Sequence, residues 1–288
     1  MVYLLLSILL NTLLFVIFKY FSRFNVNNLH AIVINYFIAF FTGFMFDETI
    51  VSLSQIPKAP WFKGTLFLGV LFVTLFNILA LTAQKIGLSV VSIASKMSVV
   101  IPVVFAFIVY EDKITFFKVI GIILALMAVY LVTKKTTHTL VKNKYLYLPL
   151  LLFIGSGLLD TILKYVEFKY VSIEETNIYS AVIFLVAGIT GTVIILIQTI
   201  LKKVNFEIKS VIAGIVLGLP NFFSIYFLLK ALKIDGIESS YVFPVNNVGV
   251  VLLSTVVGIG LFKEKLSNLN KIGIVIAIGG IVLMSIAS

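Results

Sequence analysis

Cysteine is absent from this sequence, and with it go disulfides, thiol nucleophiles and thiolate metal sites. Histidine is nearly absent as well. His30 lies near the end of an apolar run and His138 in a polar joint, so the two offer neither a metal pair nor an acid–base partner at one depth. No HExxH segment, no phosphate-cradling glycine loop and no Ser–His–acid set occurs. These absences argue against an enzyme, against an ATP-driven pump, and for a chain with no cofactor and no metal. Charge is scarce: 12% of residues are Asp, Glu, Lys or Arg, against about 25% in soluble domains. The net charge of +10 is spread over short joints with no basic domain and no aromatic RNA-binding motif. Its expected counterpart is the lipid headgroup, and nucleic acid is excluded as a partner.

Apolar sequence fills the space these residues leave. Hydrophobic residues make up 61% of the chain and mean hydropathy is +1.17. They come in runs of about twenty, the length a helix needs to cross about 30 Å of hydrocarbon. Ten spans are expected, near 2–20, 29–46, 63–83, 89–109, 115–133, 145–165, 176–200, 210–231, 239–261 and 270–287. The opening "MVYLLLSILLNTLLFVIF" has neither the basic start nor the small-residue cleavage site of a removed signal peptide and is expected to remain as the first helix.

The chain is written twice. "YEDKITFFKVIGIILALMAVYLV" (110–132) lies over "FKEKLSNLNKIGIVIAIGGIVLM" (262–284), matching Asp112 with Glu264, Lys113 with Lys265, Gly121 with Gly273 and Ala125 with Ala277. Upstream, Ala83 and Lys85 match Ala231 and Lys233, and Asn11 in "LLNTLL" matches Asp160 in "LLDTIL". The repeats are 1–143 and 144–288. Five spans is an odd number, so the second repeat enters the membrane from the opposite side. The expected fold class is an all-α integral membrane protein of ten transmembrane helices in two inverted five-helix repeats, together one transport unit.

Each half has a Lys-x-Gly or Lys-x-x-Gly joint before its fourth span (Lys85–Gly87, Lys233–Gly236). Each also has an acid–Lys–apolar joint (Asp112–Ile114, Glu264–Leu266) before a glycine-rich fifth span. In these features, and over essentially the whole chain, the sequence resembles the drug/metabolite transporter superfamily, EamA type. The resemblance implies a central cavity formed by spans one to four and six to nine, peripheral fifth and tenth spans, and export of a metabolite or drug. Pro102 fits the proline common in the family's fourth span, whereas Pro244 lies earlier in its span than the alignment places it.

Polar groups inside the apolar runs mark candidate sites, because a charge at the bilayer centre costs about 2.5–3.5 kcal/mol on insertion scales. Lys96 is the principal one. Ser89, Ser92 and Lys96 stand at i, i+3 and i+7, on one stripe of the fourth span. The candidate substrate-binding set is Lys96, Ser92, Asn11, Asn35, Tyr36, Asn77, Asn221, Tyr241, Asn246 and Asn247. Asp160, the acid deep in the second half, is the candidate for proton coupling, since a desolvated carboxylate holds its proton more tightly. Pro102, Pro220 and Pro244 are the expected helix breaks, each removing one intrahelical hydrogen bond. Bland readings compete: Lys96 as a counter-ion or snorkelling anchor, Asp160 paired with Lys164 one turn on, the asparagines as interhelical glue, and Gly121, Gly273, Gly279 and Gly280 as packing positions. Lys230 and Lys233 read as interfacial anchors.

The expectation is a secondary-active or facilitative transporter, an exporter of a small metabolite such as an amino acid or a drug-like solute, working by alternating access. Its partners are a small-molecule substrate, membrane lipids and protons, as a monomer or weak homodimer in the cell (inner) membrane. A flippase for a lipid-linked sugar and a non-transporting receptor or scaffold are the alternatives. Orientation follows from charge. The odd-numbered joints hold 13 of the 22 Lys and Arg and the even-numbered joints 8, with Lys96 the remaining one. Lys/Arg-rich joints face the cytoplasm, which puts "TKKTTHTLVKNK" inside and both termini outside, although the family resemblance implies the reverse. With the charge bias followed, a single cysteine at Thr137 in this cysteine-free chain resists membrane-impermeant thiol reagents in intact cells and reacts after lysis; labelling of intact cells reverses the assignment.

Overall fold

A computed structural model describes residues 2–46, 56–109, 115–133, 145–172, 175–202, 207–232 and 239–286. Asp112, Lys233, Gly236, His138 and the joint 134–144 lie outside the described residues, as do the side chains of Tyr241 and Pro244. Among the described residues the chain is helical throughout, with no strand. The helices are α1 (Val2–Arg23), α2 (Asn28–Met45), α3 (Phe62–Lys85), α4 (Leu88–Met97), α5 (Val100–Val109), α6 (Phe116–Thr133), α7 (Leu148–Tyr170), α8 (Thr176–Lys202), α9 (Ile208–Leu232), α10 (Ser239–Phe262) and α11 (Asn268–Ile286). A helix satisfies its own backbone, the condition for crossing hydrocarbon. Among the described residues eight segments are long and apolar enough to cross, with α4 and α5 counted together; Phe116–Val132 and Asn268–Leu283 are apolar but shorter.

Helix ends are set locally. Asn27 caps α2 by accepting from the His30 N–H at 3.3 Å. At the start of α11 the Ser267 hydroxyl accepts from the Asn270 N–H at 3.1 Å while Asn270 Oδ1 accepts from the Ser267 N–H at 3.2 Å, a reciprocal capping box with asparagine in the acidic position. The fourth apolar run is split. α4 ends at Met97, Ser98 and Val99 turn, and α5 begins at Val100. Pro102 explains the position: it has no N–H for the Ser98 carbonyl, which instead accepts from the Ile101 N–H at 2.9 Å. The other two prolines do not interrupt their helices. α9 continues through Pro220 and α10 through Pro244, correcting the expected breaks there. One lost hydrogen bond in a long run leaves enough flanking bonds to keep the helix intact.

Two compact units emerge, and each takes helices from both halves of the chain. One comprises Met1–Tyr20, Ile78–Leu158 and Phe223–Ser288. Its core gathers Val90, Ile93 and Met97 of α4, Val129 and Val132 of α6, Val251 of α10, and Ile274, Ala277 and Ile281 of α11. α6 and α11 run antiparallel at close quarters. A Cβ on Gly273 would stand 3.3 Å from the Ala128 carbonyl oxygen, and one on Gly280 would stand 3.2 Å from that of Gly121. Gly279, grouped with these by sequence, has nothing within 4 Å of its own Cβ position and is no packing residue here. α1 runs parallel to α10, with Ile8 against Gly249 and the Tyr20 and Phe262 rings 5.2 Å apart.

The other unit comprises Phe21–Asn77 and Leu159–Phe222. α2 lies antiparallel to α8, with Val33 against Gly191, Phe37 against Gly188 and Ala181 near Gly43. It lies parallel to α9, where Gly214 and Gly218 form a G-x-x-x-G face. A Cβ on Gly214 would fall 2.6 Å from the Ala31 carbonyl oxygen, so these backbones approach as only glycine allows. The outward stripe of α8, Ile189, Val193, Leu196, Ile197 and Ile200, is between 49% and 81% exposed, an apolar face that lipid would cover.

Gly214→Val is therefore expected to push α9 from α2 and cost about 1–3 kcal/mol, read as a lower thermal midpoint in detergent. Gly260→Ala is the control: nothing lies within 4 Å of its Cβ position, and stability should hold or rise slightly.

Candidate functional site

The break after α4 bears directly on Lys96. The last four carbonyls of a helix lack intrahelical donors and carry the negative end of its dipole. Lys96 stands in that last turn, half-buried, because the chain breaks two residues later. A lysine inside an apolar run is thus matched to the end of its own short helix. Serines line the same helix at three-residue spacing: Ser92 donates to the Ser89 carbonyl at 3.0 Å, Ser95 to that of Ser92 at 3.2 Å and Ser98 to that of Ser95 at 2.6 Å. Their hydroxyl hydrogens are used within the helix, which leaves the oxygens as acceptors. Ser92 is fully buried.

Further polar groups of this unit lie on α1, α9 and α10. Asn11 donates to the Ser7 carbonyl at 3.1 Å, and the buried Ser7 hydroxyl donates to the Ser224 carbonyl at 2.9 Å. Asn246 is 2% exposed, and its Oδ1 has no hydrogen-bond partner among the described residues; Thr12 Oγ1 and Thr255 Oγ1 share that condition. A buried acceptor without a donor is costly in a settled core and is a natural contact for a polar ligand. Asn247 is half-buried beside it in sequence.

In the second unit, Asn221 donates to Asn35 Oδ1 at 3.1 Å, and Asn35 donates to the Ile32 carbonyl at 3.5 Å, both side chains being buried. This pair joins α9 to α2. Tyr36 is fully buried among the Phe72, Phe76 and Phe184 rings, with its hydroxyl donating to the Phe72 carbonyl at 2.7 Å. It is a packing residue with a satisfied hydroxyl, in place of the open substrate contact expected from sequence. Asn77 donates to the Val73 carbonyl at 2.8 Å, one turn back. Asp160 is exposed on α7, so any desolvation of its carboxylate would come from lipid and not from protein packing. At the helix ends Lys230 lies over the Tyr226 and Tyr3 rings at 4.8 and 5.7 Å, and Lys169 over those of Tyr165 and Tyr170 at 5.4 and 5.5 Å, as interfacial anchors do.

One polar cluster was not anticipated. Glu264 Oε1 accepts from the Leu88 N–H at 2.8 Å and lies 3.4 Å from Lys19 Nζ, while Ser89 Oγ is 3.5 Å from Oε2. Glu264 was visible in sequence only as the acid of a repeated joint. The residues it meets are far away in the chain. Among the described residues no group of three His, Asp or Glu stands close enough to hold a metal.

The model of the EamA-like transporter family matches residues 1–134. An uncharacterized protein of Haemophilus influenzae is 31% identical over 259 residues, covering 88% of this chain and 84% of its own. A solved crystal structure shares the fold with a TM-score of 0.56 at 15% identity, over 98% of this chain and 96% of that one. Residues 1–134 thus match the EamA-like transporter family, within the drug/metabolite transporter superfamily, and the chain is a multi-pass membrane protein.

The buried amide pair gives a test of the α2–α9 seam. Asn221→Leu strands the Asn35 amide in the core and should cost about 1–3 kcal/mol. Asn35→Leu combined with Asn221→Leu should cost less than the two single changes added together, measured by chemical or thermal unfolding.

Proposed function

We propose that this protein is a ten-span transporter of a small polar metabolite, built as two inverted five-helix repeats and working by alternating access in the inner membrane. The observation that carries the reading is how equivalent helices meet. At the sequence offset of 152, Gly121 corresponds to Gly273 and Ala128 to Gly280. The two α6–α11 contacts, Gly273 on Ala128 and Gly280 on Gly121, are then images of each other. α2 and α8 repeat the relation. At an offset of 148 Val33 corresponds to Ala181 and Gly43 to Gly191, so the contact of Val33 with Gly191 is the image of that between Ala181 and Gly43. Helices that correspond in sequence, run antiparallel and exchange their own contacts are what a twofold axis across both helices produces. Inverted repeats about such an axis are the frame on which many transporters alternate.

Lys96 is the proposed contact for an anionic part of the substrate, with Ser92 beside it and Asn11, Asn246 and Asn247 as further polar contacts. The absence of a nucleotide-binding loop leaves an ion gradient or exchange as the energy source. A ligand drives turnover only by binding the two states differently, and Asp160 is the proposed proton site that supplies that difference in a pH gradient. The experiment begins with a thermal-shift screen of purified protein against amino acids, nucleosides, amines and lipid-linked sugars, followed by flux of the hit into liposomes. Lys96→Met is expected to fold and lose flux, and Asp160→Asn to keep exchange while losing its response to a pH gradient. Normal flux by Lys96→Met removes the assigned role, and an unchanged pH response by Asp160→Asn removes the proton site.

A further inference from the structure

We propose that Glu264 is the N-cap of α4, supplied from the other repeat of the chain, and that with Lys19 it forms a charge-dependent latch holding this half-helix to the joint between α10 and α11. α4 has ten residues. A helix so short is marginal alone, and its first N–H groups need acceptors from elsewhere. Its N-cap residue, Gly87, has no side chain to provide one. The break at Ser98–Val99 also removes the support that continuation into α5 would give.

The carboxylate arrives from 176 residues away to accept from the Leu88 N–H at 2.8 Å. The space it fills is kept open by two glycines. A Cβ on Gly87 would fall 2.7 Å from the carboxyl group and one on Gly258 would fall 2.6 Å from Oε2. Gly87 is further bound to glycine by its φ of +138°, a backbone conformation that L side chains rarely adopt. The approach is shaped from the other side by Lys263, whose φ of +52° turns the chain at the end of α10, so that the Glu264 N–H donates back to the Gly258 carbonyl at 3.0 Å. Lys19 closes the cluster, with Nζ 3.4 Å from Oε1 and 6.0 Å from the centre of the Phe262 ring. The carboxylate is 11% exposed and the lysine 19%, so water screens the pair only partly.

The half-helix so held carries Ser92 and Lys96. Release of the cap should therefore loosen α4 from its first turn while α6 and α11, packed on each other by glycine contacts, stay closed. Hydrogen exchange of the purified full-length protein tests this with no substrate needed. In Glu264→Ala, which removes the acceptor, the amides of residues 88–91 are expected to exchange roughly five- to tenfold faster, the size expected for a lost cap. A single cysteine at Ser92 should be alkylated faster to a similar degree, with α6 and α11 protected as in the native protein. Lys19→Met keeps the cap and should give the smaller increase. Gly258→Ala, whose Cβ would fall 2.6 Å from Oε2 and displace the carboxylate, should match Glu264→Ala, and the two changes combined should be no worse than the worse of them alone. Native exchange of residues 88–91 in both Glu264→Ala and Gly258→Ala overturns the latch, as does protection lost equally over α4, α6 and α11. Effects that add when the two are combined overturn the account of Gly258 as room for the carboxylate.

Discussion

Backbone satisfaction is the constraint on which this structure rests. In hydrocarbon an N–H or C=O without a partner has no water to turn to, so the chain resolves into helices that bond to themselves. Every departure from helix then needs a stated partner. At Pro102 the departure is met locally, as the Ser98 carbonyl takes the Ile101 N–H in place of the one proline lacks. At Gly87 it is met from far along the chain, by Glu264. The two ends of α4 are the places where the rule is strained, and Lys96 stands in its last turn.

Once backbones are satisfied internally, little hydrophobic force remains to hold helices together in lipid, and close packing has to do it. The glycines carry this. Gly273 and Gly280 seat α11 on α6, Gly188 and Gly191 seat α8 on α2, and Gly214 and Gly218 seat α9 on α2. Polar bonds between helices add to this, among them Asn221 to Asn35, Asn270 to the Val132 carbonyl at 3.2 Å, and Ser7 to Ser224. Each is buried, so each helps fix the register of its pair as well as adding stability.

Much of this was legible in the sequence. Among the described residues helices lie over the apolar runs, and eight segments are long and apolar enough to cross, because run length and polar joints are set by the same hydrocarbon thickness that sets helix length. What could not be read was partnership across distance. Nothing local in "KEKL" says that its glutamate reaches Leu88, and nothing in Tyr36 says that its hydroxyl is taken by Phe72. The prolines show the limit from the other side. Three prolines in apolar runs look alike in sequence, yet only Pro102 accompanies a break, because the serines before it bond back to carbonyls and already loosen the helix that Pro220 and Pro244 leave intact.

That contrast bears on how the proposed inverted duplication would acquire a site. On that reading the halves share packing positions, and the α6–α11 and α2–α8 contacts each map onto themselves. Their polar residues do not exchange. At the α2/α8 offset Asn35 corresponds to Ile183, and at the α1/α7 offset Asn11 corresponds to Asp160. Only one fourth helix is split: α4 and α5 stand against the single α10. A symmetric scaffold allows two mirrored states of similar energy, while recognition of one substrate needs groups that are not mirrored. Glycine contacts, which involve no charge, can be duplicated at no electrostatic cost. A half-buried lysine such as Lys96 cannot, since its copy would be a second cation in hydrocarbon needing its own helix end to lie against. On the proposed twofold frame, the asymmetry of α4 follows from placing one charge inside it.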